Sequence, residues 1–126
     1  WSSDVCSSDL LASLMRTLDF MQEEQVFIKS KLNSKLDTFK DTTTLNWAED
    51  VQQQIINREL AIQLLKNDVQ KLDRYYQFLE INKSPSTEQL KQFKSIQKQV
   101  LYLENEFFIW KNKVNDYLEL TNSASN

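Results

Sequence analysis

Carboxylates stand in close pairs at Glu23–Glu24, Glu49–Asp50 and Glu104/Glu106. Two acids whose environments separate their proton affinities can share general acid and base work, and acids converging on one point can hold a magnesium ion. Di-metal helical bundles, however, take Glu-x-x-His pairs projecting inward, and this chain has no His. Neighbouring positions on a helix point to different flanks, so these pairs read as solvated acids. No catalytic residue, metal ligand or cofactor is expected among them.

Two lysine groups suggest a different chemistry. Lys29, Lys31, Lys35 and Lys40 precede a threonine-rich stretch, and Lys83, Lys91, Lys94 and Lys98 form the second group. Phe39 and Phe93 are interleaved with them, an arrangement that could stack single-stranded bases while the ammonium groups meet phosphates. In an antiparallel arrangement the two groups fall at opposite ends of the molecule. Solvated faces are therefore the stronger reading, and nucleic-acid binding the alternative. Tyr75-Tyr76 with the region of Trp110 could bound a small-ligand pocket, although core packing is preferred.

The zeros narrow the field further. The 126 residues include no Gly, whereas average usage of about 7% would supply roughly nine. A phosphate-cradling loop and a dinucleotide fingerprint are thereby excluded. Without His there is no Ser-His-Asp or Cys-His system and no imidazole ligand. One Cys cannot close an internal disulfide or build a thiolate zinc site. No apolar run approaches the ~18 residues of a membrane span.

Residues 1–10, Trp-Ser-Ser-Asp-Val-Cys-Ser-Ser-Asp-Leu, differ from the Lys/Gln/Asn/Leu-rich remainder and show no apolar periodicity. This segment resembles the translation of a short-read sequencing adapter and is expected to be foreign to the fold, disordered or appended to the first helix. On that reading Cys6 is lost, and removing Asp4 and Asp9 lowers the acids from 18 to 16 and moves the net charge from −3 to −1. The native beginning would then lie outside this chain, making it a fragment. A near-neutral charge offers no electrostatic case for nucleic acid. Residues 122–126 read as a polar tail.

The elements that position every candidate are helices. Positions 11, 14, 18, 21, 25, 28, 32, 35 and 39 alternate steps of three and four and are apolar except at Gln25 and Lys35. A second seam runs through 48, 51, 55, 58, 62, 65, 69, 72, 76 and 79, interrupted only by Arg58. A third, 93, 96, 100, 103, 107, 110, 114 and 117, has no polar interruption. Such spacing marks helices packing on helices. Helices are predicted at about 11–40, 46–81 and 85–121, in one all-α domain over 11–121. Asn46 with Glu49 suggests a capping box, and Ser84-Pro85 a capped third helix with proline in its first turn. Short connections make neighbours antiparallel, giving a coiled-coil-like three-helix bundle, elongated or self-associating.

Extra apolar residues flank the seams: Met15 and Leu36 beside the first, Ile56, Leu60 and Leu64 off the second, and Leu90, Leu101, Phe108, Ile109 and Leu118 around the third. Phe107-Phe108-Ile109-Trp110 cannot all face one neighbour, so the third helix is expected to be central. Phe108, Ile109, Phe20 and Phe27 form the expected interaction surface. Folding also brings Gln25, Arg58 and Glu106 to similar height, which predicts a polar core layer in which Arg58 pairs with Glu106 or Glu24. The expected function is non-enzymatic contact with itself or another helical protein. In general character the chain resembles small helical bacterial proteins, without a motif tying it to one family, and a cytoplasmic location is expected.

Overall fold

The computed structural model describes residues 8–79 and 83–124, which form α1 (Ser8–Lys35), α2 (Thr42–Phe78) and α3 (Thr87–Ala124). A single 3₁₀ turn, Leu36–Thr38, follows α1. The molecule is an all-α three-helix bundle. No described residue has positive φ and no described peptide bond is cis. The described residues of the connections thus need none of the left-handed geometry that glycine supplies.

The apolar spacing explains the packing. Every position of the three seams is buried or half-buried, and none is exposed. The largest fully buried side chains include Phe93 and Phe107 on α3, Leu18, Met21 and Ile28 on α1, and Ile55 and Ile62 on α2. Bonds between α1 and α2 set an antiparallel register, with Gln22 Nε2 donating to Gln63 Oε1 at 3.5 Å and Gln52 Nε2 to Asn33 Oδ1 at 3.4 Å. Lys66 Nζ adds a 2.6 Å ion pair to Asp19 Oδ1. α1 and α3 are parallel, joined by Lys111 Nζ to Glu24 Oε1 (2.7 Å), Lys31 Nζ to Asn115 Oδ1 (3.3 Å) and Lys35 Nζ to the Leu118 carbonyl (3.2 Å).

The central element differs from expectation. α1 packs more intimately than α3 does, touching both other helices, and the α2–α3 seam is the loosest. The physical reason lies in side-chain size at that seam. Trp110 and Tyr117 of α3 meet Trp47 and Gln54 of α2 through a ring stack and a hydrogen bond. Such bulk holds backbones apart.

The helix ends also depart from the sequence reading. α2 begins at Thr42, capped by Asp41 and not by Asn46. Asp41 Oδ1 accepts from the Thr43 N–H at 2.8 Å and Oδ2 accepts from the Thr44 hydroxyl. Two acceptors satisfy two donors where the Asn46 side chain has one oxygen, and the earlier start buries Thr44. Hydrogen bonding to Thr44 and then Thr43 holds the exposed Asp41 carboxyl below its usual range.

α1 stops at Lys35, short of residue 40. The Ser34 and Thr38 hydroxyls donate to the carbonyls of Lys31 (2.8 Å) and Lys35 (2.6 Å), and Phe39 turns extended so that its ring plugs the core. For α3 the cap is Ser86, not Ser84. Its hydroxyl accepts from the Gln89 N–H at 3.2 Å, its carbonyl accepts from Leu90, and Pro85 stands outside the helix. At the other boundary, Ser8–Leu10 continue α1 and Leu11 is buried. The rest of the 1–10 segment, and positions 125–126 of the polar tail, lie outside the described residues.

Candidate functional site

The residues expected to form one interaction surface divide between two grooves. In the α1–α3 groove Phe20 and Phe108 meet with ring centroids 6.4 Å apart. Lys111 lies 5.9 Å from the Phe108 centroid while its ammonium pairs with Glu24. Phe27, two turns further along α1, is approached by Lys31 at 5.9 Å. Each ammonium stands near a ring and hydrogen-bonds a partner on the other helix, Asn115 for Lys31 and Glu24 for Lys111. Ile109 belongs elsewhere, bordering the α2–α3 groove.

That second groove, about 510 Å³, is lined by Trp47, Gln54, Arg58, Glu106, Trp110 and Tyr117 among others. Trp47 and Tyr117 stack with centroids 4.0 Å apart and planes inclined by 24°. Trp110 Nε1 donates to Gln54 Oε1 at 2.6 Å, which locks the indole. Arg58 lies over that indole, its Cζ 4.9 Å from the ring centroid. Its guanidinium reaches Glu106 Oε2 only at 4.0 Å. Burial pushes the guanidinium affinity for its proton down and the Glu106 charge partly offsets this. Glu106 also accepts from the Tyr102 hydroxyl at 3.2 Å.

The polar layer is therefore a surface strip, not a connected core network. Arg58 faces Glu106 and the indole, while Glu24 is taken by Lys111. Gln25 lies apart from both, fully buried at 0% exposure with neither Nε2 nor Oε1 hydrogen-bonded. The α2–α3 register explains the arrangement. Gln54 meets Trp110 and Arg58 meets Glu106, about one turn from the level with residue 109 expected from a fold near residue 83.

Other sequence candidates part company in space. Tyr75 and Tyr76 form an edge-to-face pair at the C-terminal end of α2, centroids 5.3 Å apart, with the Tyr75 hydroxyl accepting from the Ser86 N–H. Trp110 packs beside Gln54, some 21 residues or about 32 Å further along α2, so the two regions share no pocket. Phe39 and Phe93 are core residues and offer no stacking platform. Lys31 and Lys35 are engaged with α3, whereas the second lysine group lies at the far end of the bundle. Glu23 borders the α1–α2 groove and Glu24 the opposite one, so that pair diverges. Among the described residues no group of three His, Cys, Asp or Glu side chains is placed to hold a metal ion.

One feature is larger than the spacing suggested. Ile56, Leu60 and Leu64 are 56%, 61% and 56% exposed and lie directly opposite the buried face of α2. Their fourfold spacing is visible in the sequence, but it reads there as a widened core. Val26 on α1 and Tyr102 on α3 are exposed beside the same helix.

The fold and its surfaces thus define a helical bundle with apolar side chains left over on more than one face. Neither a family model, nor a curated protein, nor a solved structure matches this chain. Among the described residues, no helix is long and apolar enough to cross a membrane.

Proposed function

We propose that this chain is a non-enzymatic helical bundle that works through protein–protein contact, with itself or with another helical protein. The observation that carries the reading is large apolar exposure on three rigid helices whose cores are already closed: Phe20 and Phe27 on α1, Ile56, Leu60 and Leu64 on α2, and Phe108 and Ile109 on α3. Apolar side chains exposed to this extent are costly in water unless something covers them. The polar groups near these faces are engaged in positioning. Lys111 serves Glu24, Trp110 serves Gln54, and Arg58 rests on the indole.

Mass measured across a range of concentrations by sedimentation, at low and high salt, tests the reading. Association that strengthens with concentration and persists in high salt supports it, because apolar burial is not screened. Retention on single-stranded DNA that falls steeply with salt, in a chain that binds no protein, overturns it in favour of the lysine groups.

A further inference from the structure

We propose that the outer face of α2 docks a second copy of this chain, antiparallel, with Leu60 on the twofold axis. This rests on the reading of the chain as a contact protein and names the contact. Ile56, Leu60 and Leu64 follow one another at four-residue steps and point away from the bundle, each more than half exposed. Continuing the same face outward adds Gln53 and Glu49 on one side, Asn67 and Lys71 on the other. The steps from 49 to 71 run 4-3-4-4-3-4 and read alike in both directions. Eleven residues make three helical turns and about 20°, so Glu49, Leu60 and Lys71 stay on one face of a straight helix.

The chemistry is symmetric about Leu60 as well. Placing an identical α2 antiparallel across this face sets Leu60 on Leu60 and Ile56 beside Leu64, twice. The Gln53–Asn57 amide pair (3.2 Å) falls opposite the Asn67–Gln63 pair (3.0 Å). At the ends, Glu49 of each copy meets Lys71 of the other. Both residues are exposed, and neither takes part in an ion pair among the described residues. A carboxylate and an ammonium held at equal distances either side of an apolar centre complement a reversed copy of themselves. In a parallel pair they would oppose like charges.

The flanking helices extend the surface at the height of the axis. In the α1–α2 register Val26 stands level with Leu60, and the two share a groove of about 580 Å³. On the other side Tyr102 shares a groove of about 740 Å³ with Leu64. The twofold keeps α1 on the same side as α1 and α3 on the same side as α3, so Val26 and Tyr102 border the contact between the two α2 helices on either side.

Sedimentation equilibrium of the whole chain and four variants tests the proposal. Leu60→Glu abolishes dimers while circular dichroism stays unchanged, since the side chain faces outward. Glu49→Lys and Lys71→Glu each make two end pairs repulsive and weaken the dimer about tenfold. Mixing those two variants restores it, because each supplies the charge the other lacks, and so does combining both changes in one chain. A wild-type chain that stays monomeric overturns the α2 dimer and leaves the contact reading to a different helical partner. Association that survives Leu60→Glu, or charge variants that fail to rescue each other, also overturns it, while self-association through another face stands.

Discussion

Replacing Gln25 by leucine should stabilise the protein. The Gln25 side chain is fully buried, and neither its amide nitrogen nor its amide oxygen has a hydrogen-bond partner. In the unfolded chain both atoms are hydrated, so folding strips them of water without replacement. Mutational data put that loss at about 1–3 kcal/mol for an amide. Leucine removes the loss, nearly matches the volume and adds apolar burial against a seam that includes Met21 and Ile28. A gain of about 2 kcal/mol follows, equivalent to a rise in Tm of roughly 6–12 °C for a domain of this size. Urea unfolding followed at 222 nm measures it, and the midpoint should move up with the slope unchanged. A midpoint that stays put or falls would falsify the argument, because the amide would then have to be hydrogen-bonded in solution.

Other perturbations follow from the same contacts. Phe93→Ala empties a site of 0% exposure and should cost about 3–5 kcal/mol, read as a large fall in urea midpoint; a minor change would mean the ring is not in the core. Arg58→Ala removes a cation over Trp110 and should cost about 1 kcal/mol with a change in tryptophan emission, whereas Glu106→Gln should stay within about 0.5 kcal/mol because the pair is loose at 4.0 Å. Asp41→Ala should lower Tm at neutral pH and flatten its acid dependence. The folded-state affinity of Asp41 for a proton is depressed, so its stabilisation is present above the ordinary carboxylate range and disappears as pH falls through the lowered value. Tm profiles of both proteins that run parallel down to strongly acidic pH contradict this.

Much of the architecture was legible in the seams. Steps of three and four locate helical faces because side-chain direction follows backbone period, and burial then selects the apolar face. Level matching also worked to within a residue between α1 and α2. Folding about residue 43 sets Gln25 near 61, and the Gln22–Gln63 bond implies 60. The caps were less legible because several residues competed for each one. Asp41 won over Asn46 by offering two acceptors, and Ser86 over Ser84 by lying beyond the proline.

The candidate surfaces were harder still. A flanking apolar residue reads the same in sequence whether it widens a core or faces solvent. Phe107 and Phe108 are neighbours in the chain, yet only Phe107 is buried. Ile56, Leu60 and Leu64 were visible as extra hydrophobes, but their exposure depends on where α1 and α3 sit.

By itself the sequence determined the all-α class, the three buried faces and the freedom from glycine geometry, because these follow from local period and backbone preference. Tertiary structure alone decided that α1 makes the tighter contacts, that Glu24 serves Lys111 and not Arg58, and that Gln25 is sealed without a partner. It also decided which apolar side chains remain outside. Periodicity constrains directions around one helix axis, whereas partnership depends on rotations and offsets between axes. Those are set by the bulk of side chains such as Trp47, Trp110 and Tyr117 at the seam where α2 and α3 meet.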